Sequence, residues 1–425
     1  MSIVQTPIEP LIPSRTPLDR LVPRKYQTLA VGIALFLILV FVRYVANVPD
    51  LTSGNLFNAA IVLMLPIMLA GLGGLWSERT GVVNIGLEGM MIMGTWFGAW
   101  AGWHWGPWAG ALGGAVGGGL FGLVHAVATV TFGIDQVVSG VAINIMALGG
   151  IARFLSAVAY KDPSTGGSAT QSPQVNVNGI GTFDVPFIAN WMGALERKKI
   201  PVISDIAGPI HGLTSEVNWL TLIALLLVPL TWFILWRTKL GLRMRSVGEN
   251  PAAAESLGVG VYRMKYIGVI TSGMLAGFGG AVLVLESAGI YREGQTAGRG
   301  FIGLAAMIFG NWRPAGVLGA AGLFGYADTL RLRNPDSPHG LILFIAILLG
   351  IAAIYLLFRR RWFPAAAVGV LSLLAFISYL TTKQVRPEFL SFTPHIVTLL
   401  VLAFAAQRLR PPAADGKPYR RGQQI

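Results

Sequence analysis

The sequence predicts an all-α polytopic membrane protein with about ten full transmembrane helices and a broken hairpin of two short helices. Three observations carry that expectation. The 425 residues are 54% apolar and only 12% charged, against roughly 25% charged in a soluble protein. Apolar stretches of about 18–22 residues recur along the chain, and about 20 residues of helix at 1.5 Å rise cross the hydrocarbon core. The basic residues, which give a net charge of +13, fall in short clusters between those stretches, as the positive-inside rule requires. With a mean hydropathy of +0.63, the chain needs lipid rather than a charged skin around it. No basic run is interleaved with aromatics on a polar surface, which argues against nucleic acid as a partner.

Residues 1–27 form a basic lead, and the run 28–46 is expected to be the first span of a permease-sized membrane region, 28–407. A cleaved signal peptide is the competing reading. Arg43 and Tyr44 stand where small cleavage-site residues belong, so an uncleaved helix with a cytoplasmic N-terminus fits better. Spans 56–75, 82–101, 108–132 and 136–159 follow. The longest polar segment, 160–217, carries four basic and five acidic residues and so lacks a cytoplasmic signature; it is expected outside. Span 218–236 leads to the most basic internal loop, 237–265, with Arg237, Lys239, Arg243, Arg245, Arg263 and Lys265, expected inside. Span 266–285 exits again. The apolar run 300–330 is interrupted by Asn311-Trp312-Arg313-Pro314, which reads as two short half-spans. A helix pair, 341–380, and a last span, 389–406, restore parity, leaving a basic tail, 408–425, and both ends cytoplasmic.

Glycines at Gly110, Gly114, Gly118 and Gly122 recur every fourth residue and give the fourth span one flat face for close helix packing. Gly273 and Gly277 repeat the pattern. Polar side chains inside spans are expensive and are candidates for function by default. Asn84 and Glu88, four apart, would share a helix face if the third span is helical from residue 82. They and Asn144 in the fifth span are pathway candidates, with interhelical anchoring as the competing role. In the basic loop, Asn250-Pro251 is a good helix start, and Gly258 can end the helix. A short capped helix between two spans is a docking element, although a plain solvated loop is equally consistent with its composition.

Catalytic templates are missing. There is no phosphate-binding G-x-x-x-x-G-K-[ST], no H-E-x-x-H and no G-x-S-x-G, and the five histidines are scattered. The chain has no cysteine, which removes thiolate chemistry, disulfides and thiolate metal sites. No catalytic residue, metal site or cofactor is expected, and energy for transport must come from a gradient or another subunit.

The stretch 78–91, the loop Gly248-Glu249-Asn250-Pro251-Ala252-Ala253-Ala254 and the block 296–306 together resemble the membrane permease of bacterial ABC importers in the branched-chain amino acid and simple-sugar class. Within it, the nucleoside and simple-sugar subgroup is the nearest likeness. The tail motifs Pro394-His395-Ile396-Val397-Thr398, Pro411-Pro412-Ala413-Ala414 and Gly416-Lys417-Pro418-Tyr419 resemble that subgroup as well. The likeness covers 56–330 and 389–419. It implies a type II importer-like permease in the bacterial plasma membrane, paired with a second permease as a heterodimer. It also implies a cytoplasmic ABC ATPase and an external substrate-binding protein as partners. The coupling segment carries over to Gly248, Glu249, Asn250, Pro251, Ala253, Ala254, Glu255 and Gly258. The first span and the pair 341–380 depart from the usual pattern. The competing functions are a gradient-driven transporter or channel with Glu88 as ion or proton site, and, less supported, a membrane enzyme.

Overall fold

The computed structural model describes residues 27–333, 337–382 and 409–420. The expected span 389–406 and residues 1–26 lie outside the described residues. The protein is an all-α polytopic membrane protein. Among the described residues the strands are β1 (Thr182–Phe183) and β2 (Val217–Asn218), an antiparallel pair of two residues each.

The first helices are α1 (Gln27–Val45), α2 (Gly54–Glu78) and α3 (Leu87–Trp105). Helix α4 (Pro107–Ala126) runs on through a π-helical turn, Val127–Thr131. Helix α5 (Gln136–Met146), a second π turn (Ala147–Ile151) and α6 (Ala152–Ala159) make one apolar rod. In the polar segment lie α7 (Ile188–Arg197) and α8 (Ile203–Thr214). Next come α9 (Trp219–Arg237), α10 (Lys239–Glu249), α11 (Pro251–Ser256) and α12 (Val261–Val282), which continues into a π turn, Leu283–Ala288. Helices α13 (Arg299–Phe309), α14 (Pro314–Arg333), α15 (Ser337–Phe358) and α16 (Trp362–Thr381) complete the series. Seven helical stretches among the described residues are long and apolar enough to cross a membrane: Gly54–Glu78, Pro107–Thr131, Gln136–Ala159, Trp219–Arg237, Val261–Ala288, His339–Phe358 and Trp362–Thr381.

Local chemistry sets the starts. The side chains of Ser53, Asp135, Asn218, Thr238 and Asn250 accept backbone N–H bonds at the first turns of α2, α5, α9, α10 and α11. Such caps satisfy donors that a helix cannot pair internally.

The described chain divides into two compact units. The larger is 53–338 with 384–425. At its centre lie α2 and α12; 72% of the membrane-length window of each is buried, as suits helices that are apolar on every side. Glycine lets α4 touch both α3 and α12. A methyl group on Gly110 would lie 2.7 Å from Gly98 O, on Gly114 2.8 Å from Gly94 O, on Gly118 2.2 Å from Gly273 O, and on Gly122 2.8 Å from Val269 O. The smaller unit, 1–52 with 339–383, gathers α1, most of α15, and α16. In it Gly340 faces Leu51, Val48 and Val42, Ser372 Oγ donates to Ala346 O at 2.8 Å, and the His339 ring stacks on Tyr379 at 4.4 Å.

Three departures from the sequence reading have physical causes. The third span is not helical from residue 82: α3 starts at Leu87, so Asn84 lies in non-helical chain and shares no helix face with Glu88. The second half of the broken hairpin is no half-span, since α14 is 20 residues long, opened by Pro314 in its first turn. The polar segment 160–217 is not plain loop. Its helices α7 and α8 are joined by His211 Nδ1 and Glu196 Oε2 at 2.7 Å, and Glu196 Oε1 accepts the Gly54 N–H at 2.8 Å, capping α2 from outside the helix.

Candidate functional site

The backbone between α2 and α3 leaves the helical path at one end of the membrane helices. Gly81 takes a left-handed φ of +77°, and residues 82–86 are not helical. Away from water each of their polar groups needs a partner, and irregular backbone survives at membrane depth only where protein supplies one. Side chains from four helices do so. Ser77 Oγ donates to Val82 O at 2.6 Å, and the Val83 N–H donates to Gln136 Oε1 at 2.7 Å. His125 Nε2 donates to Val83 O at 3.1 Å, which leaves Nδ1 to accept from Ser139 Oγ at 2.9 Å. Asn144 spans the end of the break: its Nδ2 donates to Ile85 O at 3.0 Å and its Oδ1 accepts the Gly89 N–H at 2.7 Å. Asn84 accepts the Gly86 N–H at 3.0 Å and donates to Ser272 Oγ at 2.9 Å. Lys265 Nζ donates to Gly81 O at 3.2 Å.

Asn84 and Asn144 are therefore brought to one segment of backbone. Glu88 serves another. Its Oε1 accepts from Thr296 Oγ1 at 2.6 Å and from the Gly298 N–H at 3.0 Å, while Oε2 accepts the Gly300 N–H at 2.7 Å. The carboxylate thus sits on the N-terminus of α13, where a negative charge is favoured by the unpaired amides and the helix dipole. Beside it Arg299 pairs with Asp328 at 2.8 Å.

The segment 248–258 lies against the same break. Gly248 is buried so tightly that a methyl group there would lie 2.4 Å from Arg79 O. Asn250 Oδ1 accepts the Ala253 N–H at 2.9 Å, Pro251 fills the first turn, and Gly258 closes the helix with φ of +79°. Pro251 and Ala254 are buried, whereas Ala253 and Gly258 face outward. Leu257 is 83% exposed, next to a cavity of about 260 Å³ lined by Glu255 and residues 258–263.

Arg79 is the hub that the sequence reading left out. Its Nη2 donates to Trp312 O at 2.7 Å, its Nη1 lies 4.0 Å from Glu249 Oε1, and its guanidinium sits 5.3 Å from the Trp236 ring. Burial pulls its pKa below the usual value, against the opposing pull of the Glu249 carboxylate. Trp312 Nε1 in turn donates to the Glu78 carboxylate. The break after α2, the segment 248–258 and the α13–α14 junction consequently meet at one guanidinium. The clue available in sequence was Glu78-Arg79 directly before a glycine-rich break, but its partners lie more than 150 residues away.

The chain matches the family model described as branched-chain amino acid transport system / permease component over residues 55–352. It is 34% identical to the guanosine ABC transporter permease protein NupQ of Bacillus subtilis over 86% of this chain and 96% of the relative. It is 33% identical to the nucleoside ABC transporter permease protein NupC of Lactococcus lactis over 84% and 94%, and 31% identical to the putative glucose ABC transporter permease protein TsgC13 of Haloferax volcanii over 87% and 98%. No solved structure matches. Buried helices around a backbone break, a capped helix docked beside it and a family match over most of the chain agree: the protein belongs to the branched-chain amino acid transport system permease component family.

Proposed function

We propose that this chain forms the translocation pathway of an ATP-driven importer for nucleosides or simple sugars, and that it works beside a second, different permease subunit. The observation that carries the proposal is the junction at Arg79, where Gly248 and Glu249, directly before the short capped helix α11, lie against the chain break after α2. A cytoplasmic ABC ATPase would dock on the segment 248–258, with buried Gly248 seating the segment on Arg79, Asn250 and Pro251 as the helix start and exposed Leu257 as the apolar tip. Force applied there reaches the break through Arg79 and Glu249. The break, held by Asn84 and Asn144, and the α13 N-terminus, held by Glu88, are the parts that re-pack in alternating access. An external binding protein delivers the substrate.

The relatives' names support the substrate class, and the pairing is supported by Bacillus subtilis having a second matching permease, NupP, 26% identical to this chain. The basic residues Arg237, Lys239, Arg243, Arg245 and Arg263 around α10 and α11 support a cytoplasmic side for that face by the positive-inside rule. Both ends of the chain would lie on that side of the plasma membrane, and the pair 341–380 would face lipid. A gradient-driven reading has less to work with, because both Glu88 oxygens are already occupied by protein donors.

The test is ATP-dependent uptake of labelled guanosine and of a labelled pentose by proteoliposomes holding this chain, its companion permease, the ATPase and the binding protein. The expected result is uptake that needs ATP and is reduced at least about tenfold by Glu249→Arg, which sets two cations against each other at Arg79. Uptake that persists without the ATPase would sink the reading.

A further inference from the structure

Residues 409–420 form an extended strap with a single turn, and it is bonded to side chains rather than merely laid on the surface. Its Arg410 N–H donates to Asn311 Oδ1 at 2.8 Å, between α13 and α14. The Ala413 N–H donates to Glu249 Oε2 at 3.2 Å and the Ala414 N–H to Gly248 O at 2.9 Å. Asp415 lies against Glu78 at the end of α2, with Lys265 of α12 and Arg79 close by. Beyond it the Tyr419 hydroxyl donates to the Glu255 carboxylate of α11, and its ring packs on Tyr262 at 5.8 Å. Pro412, Ala414 and Tyr419 are buried by these contacts, while Arg410, Lys417 and Arg420 stay exposed.

We infer that the strap is a transmission element: it fastens the coupling helix α11 to α2, α12 and the α13–α14 junction, so that movement of α11 is delivered to the membrane helices, with Tyr419 as the positioning residue that pins it. The inference rests on the reading of 248–258 as the ATPase docking segment and adds a second linkage to it. Helix α11 is only six residues long, too short to hold a fixed orientation by its own hydrogen bonds. Gly248 and Arg79 hold its approach from one side. The strap holds its far end through Glu255 and runs back to Gly248, Glu249 and Asn311. A displacement of α11 that broke the Tyr419 contact would leave Glu255 without that donor and uncover the Tyr262 ring, so α11 and the strap move together.

The measurement is substrate taken up per ATP hydrolysed, in proteoliposomes with the complete transporter. Wild type is measured first, since lack of any ATP-dependent uptake there would refute the importer reading itself. Tyr419→Phe keeps the ring and removes one hydrogen bond to a charged group, which weakens pinning by about tenfold or more. Expected is a several-fold lower ratio of uptake to hydrolysis, with the ATPase still bound at the wild-type level. A merely structural role would lower both together. Because the chain has no cysteine of its own, the pair Glu255→Cys and Tyr419→Cys can be bridged by a short bis-maleimide. Bridging should restore the ratio lost in the unbridged pair. A wild-type ratio in Tyr419→Phe, or a bridge that blocks transport, overturns the inference.

Discussion

Glu88 shows how a buried carboxylate in a membrane helix bundle can serve as a structural anchor. Three donors converge on its carboxylate, two of them backbone amides of the α13 N-terminus. Breaking such a set leaves buried donors unpaired, at about 1–3 kcal/mol for each orphaned group. Glu88→Gln should therefore lower the thermal stability of the detergent-solubilised protein, since one amide hydrogen-bond face replaces an acceptor-only carboxylate. Glu88→Ala should lower it further and release α13. Thermal unfolding followed by size-exclusion chromatography ranks the two, and a Gln variant as stable as wild type would show that the carboxylate does not anchor α13. In sequence, Glu88 was visible as an isolated acid in an apolar run, but its destination was not. Thr296, Gly298 and Gly300 lie more than 200 residues away, and no local pattern connects them. Asn84 and Asn144 are legible for the same reason, whereas nothing local marks His125 and Gln136, which bond Val83, or Ser272, which bonds Asn84.

At the scale of elements, what was legible is what is local. Asn250-Pro251 and Gly258 bracket α11 because capping needs only neighbours within four residues. The start of α3 was misjudged because an apolar stretch cannot show that its first residues bond sideways to other helices. The strap was legible only as motif and charge, since its conformation comes from contacts with Gly248, Glu249 and Glu255 rather than from its own pattern. Its electrostatics lead to a pH dependence. Burial pushes the Asp415 carboxyl up to about 6, against the opposing pull of Lys265 and Arg79 and of hydrogen bonds with Glu78 and the Gly416 amide. A released strap would titrate near the ordinary aspartate value, so the docked state binds more protons between about pH 4 and 6. Docking is then strongest below that window and weakens as pH rises through it, by about 1.4 kcal/mol per pH unit for each full proton taken up on docking. Hydrogen exchange of the Ala413 and Ala414 amides, compared with Asp415→Asn at each pH so that the chemical exchange rate cancels, should show protection falling from pH 4 to 7 in wild type alone. Parallel profiles in the two proteins would refute the assignment.

For the whole molecule, the larger of the two units is packed through glycine. The helices α3, α4 and α12 approach so closely that their carbonyls occupy the space of absent side chains. In lipid this closeness supplies the packing attraction that hydrophobicity cannot, because the tails are as apolar as the helices. The pair 341–380 was read as a departure from the family pattern; the family model's match nevertheless extends to residue 352, into α15, and the structure groups that pair with α1 in one unit. The regular spacing of Gly110, Gly114, Gly118 and Gly122 announced a packing face, but its partners follow only from the fold. A Gly118→Ala methyl would meet Gly273 O at 2.2 Å, and a Gly277→Ala methyl would meet Gly114 O at 2.3 Å, both backbone atoms that cannot rotate away. Overpacking of that kind costs about 1–3 kcal/mol where some shift is possible. Gly319, also inside a helix, has nothing within 4 Å of the same methyl position, and alanine there should be neutral or slightly stabilising. The two central variants should therefore lose folded protein on mild heating, while Gly319→Ala keeps it. Because Gly118 and Gly277 lie across one contact, the double variant should lose less than the sum of the singles: once one alanine has forced α4 and α12 apart, the second finds the space already open. Additive losses would mean that the two helices yield independently and do not form one rigid seam.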